Sequence, residues 1–384
     1  MNRNILFFLR IFFLGLCLIP LLSFQEVPVI EFEKQMVAAE SAESVGVFDI
    51  NRDGILDLVS GSYWYEGPSY LKHHFIGQVE RASGYFDDFS TIPLDVNGDG
   101  RMDFITGGWF NETLLWRENP GNDQEWVQHK IASTGNIETT RAWDINADGF
   151  KEIVPNTPGK ALAYYTLIRD AEGTPTGEFF RTQVAGKHGH GLGFGDLNSD
   201  GFGDFIVSGG WYEAPADKGS VSWKFHKDFD LEDASIPIIV ADVNQDGLAD
   251  LIVGQGHNYG LDWYEQKKTG SQSEFIKHPI DPFQSQYHTM EWSDIDNDGQ
   301  KELITGKRFR AHNGNDPGSF DPGGLYYFKW NGESLTKNII SYGAFGEGKG
   351  AGIFFSIADL NNSGRKDIIV AGKDGLYVFF NQTP

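Results

Sequence analysis

The sequence predicts an all-β protein: one seven-bladed β-propeller of four-stranded blades, closed by an N-terminal strand that completes the last blade. Three observations predict it. Seven copies of one acidic nine-residue pattern, Asp-x-Asn/Asp-x-Asp/Ser-Gly-x-x-Asp/Glu, begin 46 to 65 residues apart, the size of one blade. Each copy sits among short apolar and aromatic runs in the same order. The 47 glycines and 14% aromatic content suit many strands joined by tight turns.

The repeated pattern resembles the first nine positions of a calcium loop. Oxygen side chains fall at positions 1, 3, 5 and 9, and a glycine at position 6 allows the sharp turn. A hard cation needs several oxygens, and alternate residues of a tight loop turn several inward. The expected ligands in the first three loops are Asp49, Asn51, Asp53 and Asp57; Asp95, Asn97, Asp99 and Asp103; and Asp144, Asn146, Asp148 and Glu152. Those of the next two are Asp196, Asn198, Asp200 and Asp204, then Asp242, Asn244, Asp246 and Asp250. The last two are Asp294, Asp296, Asp298 and Glu302, then Asp359, Asn361, Ser363 and Asp367. Asn361 and Ser363 leave the seventh loop with the fewest charges, so it should bind Ca²⁺ most weakly. Seven equivalent sites imply structural calcium rather than seven reaction centres.

The elements repeat in order. An apolar strand enters each loop, as in 44–50 and 191–197, and a second leaves it, as in 57–61 and 204–209. The third is aromatic: Trp64-Tyr65-Glu66, Trp116-Arg117-Glu118, Tyr164-Tyr165, Trp211-Tyr212-Glu213, Trp263-Tyr264-Glu265, Tyr326-Tyr327-Phe328 and 377–380. The fourth carries a bulky apolar residue and, three later, His, Gln or Asn: Leu71/His74, Trp126/His129, Phe180/Gln183, Trp223/His226, Phe275/His278 and Leu335/Asn338. The seventh such pair, Phe32/Gln35, precedes the first loop. The strand around 32–37 therefore completes the last blade and removes the exposed edges. The sixth repeat is the longest, with an insertion around 308–324.

Residues 1–24 read as a signal peptide and 25–384 as the propeller. The apolar run 11–24 is too short for a membrane span, so the chain is expected to be secreted. The only cysteine, Cys17, lies in that run, and bulky Leu16 makes it a poor lipid-attachment site. The net charge of -23 argues against a nucleic-acid partner.

Side chains recurring in every blade belong to the scaffold, and those that break the register are candidates for function. His74, His129, His226 and His278 share the slot filled elsewhere by Gln or Asn, so the slot needs a hydrogen bond rather than a titrating group. Trp64, Trp116, Trp211 and Trp263 are in register and read as packing. His188, His190, His257, His288 and His312 have no repeated slot. All five lie in connections that an up-and-down blade places on the face opposite the acidic loops. Tyr85, Asp87, Asp88, Arg141, Tyr259, Lys307, Arg308 and Arg310 share that face, and Trp109 is an irregular aromatic that could stack on a sugar.

The repeats resemble the FG-GAP/VCBS type of integrin α-subunits and many secreted bacterial proteins. A narrower resemblance is to the propeller domain of the aldos-2-ulose dehydratase (1,5-anhydro-fructose dehydratase) family. It rests on His188-Gly-His-Gly-Leu-Gly-Phe-Gly-Asp196, Gly209-Gly-Trp-Tyr-Glu-Ala-Pro215 and Trp64-Tyr-Glu-Gly-Pro68. That resemblance implies elimination of water from keto-sugars, with His188 and His190 in the site. The expected roles are His188, His190 and His288 as acid/base groups or metal ligands, and Arg141 and Arg308 as anion or enolate contacts. His257, Tyr259, His312, Lys307, Tyr85 and Trp109 would contact substrate. The unrepeated histidines could also hold one further divalent metal. The other reading is a non-catalytic carbohydrate- or protein-binding module of the adhesion type.

Overall fold

Each acidic loop turns the chain from an innermost strand into the second strand of its blade, and the turn is built from its own side chains. The computed structural model describes residues 29–217, 222–270 and 272–383. The segment 1–24, with Cys17, lies outside them. In all seven loops the first aspartate accepts the N–H of the sixth-position glycine at 2.8–3.1 Å. The third side chain accepts the fifth N–H at 2.9–3.1 Å. The ninth carboxylate is buried in every blade and accepts the second N–H at 2.8–3.2 Å. In five blades its other oxygen accepts an N–H at the far end of the third strand. Position 9 thus clasps three strands as well as facing the loop.

The blades are seven four-stranded antiparallel sheets. Their innermost strands are Gly46–Phe48, Ile92–Leu94, Thr139–Trp143, Leu192–Gly195, Ile239–Ala241, Tyr287–Ser293 and Ser356–Ala358. The seventh blade takes its outer strand, Phe32–Ala38, from the start of the chain, where it pairs antiparallel with Leu376–Asn381. Closure is repeated at the inner edge, where Ile353 N–H donates to Glu43 O at 2.8 Å and Val45 N–H to Phe354 O at 3.1 Å. Apolar side chains of adjoining blades pack into shared clusters, such as Val45, Leu58 and Tyr65 with Ile369 and Val378. The insertion of blade 6 carries one short 3-10 turn, Ala311–Gly314. Among the described residues no helix is long and apolar enough to cross a membrane.

The repeated polar slots form one device. Trp64, Trp116, Trp211 and Trp263 stack on the paired histidines His74, His129, His226 and His278, with ring centroids 4.0–4.6 Å apart. Each histidine Nε2 then meets Glu66, Glu118, Glu213 or Glu265 at 2.7–3.1 Å. The tryptophans pack between adjoining blades, as Trp64 does with Phe104 and Trp126, and they do a second thing as well. They seat a histidine that bridges the third and fourth strands.

Candidate functional site at one end of the axis

Counting back six residues from the first aspartate of each loop gives Glu43, Phe89, Glu138, His190, Ile236, His288 and Ile353. These begin the innermost strands at the end of the ring away from the acidic loops. Four are ionisable, and three of them meet near the axis. His288 Nε2 lies 2.9 Å from Glu138 Oε1 across the ring, and His190 Nε2 lies 3.6 Å from the same oxygen. His257, from the connection between the second and third strands of blade 5, brings its Nε2 to 3.1 Å from His190 Nε2. The imidazoles of His190, His257 and His288 have centroids 4.6–5.3 Å apart.

Glu138, His190, His257 and His288 each offer a ligand atom within 4.8 Å of the others. Imidazole nitrogens at 2.0–2.1 Å from a tetrahedral ion stand about 3.3 Å apart, close to the His190–His257 separation. The outer nitrogens are also held as metal ligands usually are. His190 Nδ1 faces Ala234 O at 2.8 Å, and His257 Nδ1 faces Asp316 Oδ2 at 3.0 Å. Gly256 leaves the room: a Cβ there would come within 3.0 Å of His190 and 3.3 Å of His288. The residues fit a divalent cation of the kind bound by imidazole and carboxylate.

Arg308 anchors the cluster. Its side chain is 2% exposed and donates to Glu43 at 3.0 and 3.3 Å and to Glu138 at 3.2 Å. Burial alone would lower its pKa, but the two carboxylates outweigh that and raise it. Burial likewise works against the Glu138 carboxylate, yet His190 and His288 hold it well below its ordinary range. Burial pushes His288 well down, with the Arg308 charge adding to it. Burial, then the His190 charge, brings His257 to about 4. His190 goes the other way: Glu138 overcomes the burial that would lower it. Neutral His257 and His288 beside an ionised Glu138 are the protonation states a cation requires.

The blade 6 insertion covers one side. His312 stacks on His257 at 4.3 Å, and its Nδ1 meets Asp316 Oδ1 at 2.9 Å. His312 is exposed and, with Arg310 and Asn313, holds a left-handed backbone, a strain typical of functional loops. Lys307 is fully buried beneath the insertion and donates to Ser285, Gln286 and the Gly318 carbonyl at 2.6–2.9 Å. Burial lowers its pKa to about 8. Tyr259 donates its hydroxyl to Asp321 at 2.7 Å.

Other expected site residues lie apart. His188 is buried away from the cluster. Its Nε2 accepts the Thr157 N–H at 3.4 Å, and its Nδ1 lies 3.1 Å from Lys160 O. It parts from His190, two residues on, because 188–191 lie between strands rather than in one. Arg141 sits deeper in the ring, three residues below Glu138, and spans the axis to Glu291 at 3.2 Å and Thr289 at 2.9 Å. Trp109 packs on the cluster of Tyr85, Phe89 and Ile353, and Lys373 Nζ lies 3.5 Å over the Tyr85 ring. Asp87 is spent on the N–H groups of Phe110 and Asn111, and Asp88 on Thr106. Glu43, Glu138 and Asp316 were not singled out by sequence. The signal for the two glutamates was present, since they occupy a slot filled by Phe or Ile in three blades.

These features define a closed seven-bladed β-propeller with an ionisable cluster at one end of its axis. The chain carries FG-GAP-like repeats, matched at residues 95–154 and 242–305. No curated protein matches the chain. Among solved structures it is similar to BBS1N in complex with ARL6DN, with a TM-score of 0.53 and 12% identity over 92% of this chain and 97% of that one. At that identity the likeness is one of fold alone. An Agrocybe aegerita lectin specific for non-reducing terminal N-acetylglucosamine gives 0.46 and 14%, covering 92% of this chain and 94% of that one. The rhamnogalacturonan lyase YesW gives 0.46 and 12%, covering 92% and 73%.

Proposed function

We propose that this chain is a metal-dependent carbon–oxygen lyase acting on carbohydrate, with Glu138, His190, His257 and His288 as its metal ligands. The observation that carries the proposal is their convergence: three histidines outside the repeated fourth-strand slot meet one buried carboxylate at the end of a ring. His190 also belongs to the segment that resembles the sugar-dehydratase family. A divalent metal there would act as a Lewis acid on a sugar carbonyl oxygen. His312, outside the ligand set and oriented by Asp316, would take the proton next to that carbonyl. Tyr259 would protonate the leaving oxygen by turning its hydroxyl from Asp321 to that oxygen. Arg308 and Glu43 fix Glu138 rather than touching substrate. The test is an assay of the zinc- or manganese-loaded protein on keto-sugars and oxidised glycosides, following the absorbance of an enone. Turnover abolished by His257→Ala and strongly reduced by His312→Ala is expected. No turnover on any such sugar, or turnover indifferent to His257→Ala, would sink the proposal.

We infer further that the acidic loops bind structural Ca²⁺ and that the protein is secreted, where calcium is plentiful. The support is the common hydrogen-bonded frame of all seven loops, with the position-5 carboxylates of six of them exposed. Calorimetry of the chelated protein against added Ca²⁺ tests this, and a melt indifferent to Ca²⁺ refutes it.

A further inference from the structure

A second feature lies on the same axis at the opposite end. Below the Arg141–Glu291 pair the ring encloses a cavity of about 890 Å³. Its walls come from innermost strands of blades all round the ring, and Gly149, Phe150, Lys151 and Lys301 of two acidic loops edge its mouth. It therefore opens on the acidic-loop face, away from Glu138 and the histidines. The wall of blade 7 runs from Phe354 to Ala358, five residues or about 16 Å at about 3.3 Å per residue, deep enough to take in the end of a short saccharide chain.

The chemistry of the bore is mixed in a particular way. Trp143 and Trp292, from blades 3 and 6, are each partly exposed into it, with Phe194 beside Trp143 at a centroid distance of 5.8 Å. The floor carries two planar polar groups. Arg141 is 6% exposed and its Nε has no hydrogen-bond partner among the described residues. Glu291 uses one oxygen on Arg141 and remains partly exposed. Apolar aromatic faces suit the C–H face of a pyranose, and a guanidinium beside a carboxylate matches adjacent hydroxyls as donor and acceptor. A phosphate or carboxylate ligand would meet Glu291, so the floor favours a neutral group. The volume lies within the range of small-molecule sites.

We propose that this axial cavity is a binding site for the end of a neutral saccharide chain, separate from the metal centre. It stands whether or not that centre is catalytic. The experiment is isothermal titration of the intact protein with maltotetraose, cellotetraose and chitotetraose, and with tetra-alanine as the peptide alternative. Saturable binding of at least one saccharide is expected. Trp292→Ala should weaken it about ten-fold, the loss of one stacking face. Ala358→Trp, which fills the bore, should abolish it. Both variants are checked for an unchanged thermal melt, and if Trp292→Ala unfolds, Trp292→Leu replaces it. His257→Ala should leave the binding untouched. No saccharide binding, binding that survives Ala358→Trp, binding lost in His257→Ala, or binding of tetra-alanine alone would each overturn the proposal.

Discussion

Arg308 shows how a single side chain can hold a site together. It neutralises two buried carboxylates that would otherwise repel each other across blades 1 and 3. Removing one partner of such a network leaves buried charge uncompensated, so Arg308→Met should cost about 3–5 kcal/mol in a denaturant melt, while Tyr259→Phe at the rim should cost less than about 1 kcal/mol. Asp316 bears on the proposed metal site instead. It holds the outer nitrogen of His257, and Asp316→Asn should weaken zinc or manganese binding by about 10–100-fold in a calorimetric titration without unfolding the protein. An unchanged affinity would remove Asp316 from the site. The histidines were legible in the sequence because they break a repeat. The glutamates were not, because an acidic chain hides two acids among 54. His188 was legible and misleading, since its two ring nitrogens serve the backbone. Which polar side chains meet across a ring depends on strand register, and that appears only when the slots are counted from a common origin.

At the scale of the element, the acidic loops differ in how they balance charge. The ninth-position carboxyls are shifted upward by burial, with loop carboxylates adding to it and backbone N–H groups opposing: Asp57, Asp103 and Asp250 to about 6, Asp204 and Glu302 to about 7. A carboxyl that titrates higher in the folded state stabilises the fold fully below its unfolded pKa, near 4, and loses that contribution as pH rises through its folded value. The chelated protein should therefore melt higher at pH 5 than at pH 7.5, by about 5 °C or more given several such groups. Added Ca²⁺ should close the gap at pH 7.5. An equal melt at both values in chelator would refute the linkage. The sixth loop meets a cation at three of its carboxylates, because Lys329 reaches in from the third strand. Its Nζ lies 2.8 Å from Asp296, 2.6 Å from Asp298 and 3.5 Å from Glu302. The loop carries its own cation, so Lys329→Met should cost on the order of 2–3 kcal/mol in chelator and recover most of it in Ca²⁺. The nine-residue pattern gave no hint of this, since Lys329 lies 27 residues beyond Glu302 and its approach depends on the pairing of the third strand with the second.

At the scale of the whole molecule, the ring was legible because the acidic loops mark every blade in the same register. The aromatic third strands and the bulky/His fourth strands then fall into place. The displaced Phe32/Gln35 pair gave closure, and the structure pairs Phe32 with Asn381 and Gln35 with Val378. The outer edge of the strand Leu376–Asn381 is paired only while residues 32–38 cover it. That strand is largely buried, with Val378 and Phe379 at most 1% exposed. Without its partner it would present unpaired backbone groups along one side, beside a hydrophobic cluster shared with blade 1. A chain beginning at Ala39 should therefore lose cooperative melting or associate through that edge, as seen by calorimetry and light scattering. Adding the peptide 29–38 in trans should restore part of the melt by supplying the missing strand. If the shortened chain stays monomeric and melts as the intact one does, the ring is held by its inner contacts, Glu43 to Ile353 and Val45 to Phe354, and the outer strand is dispensable.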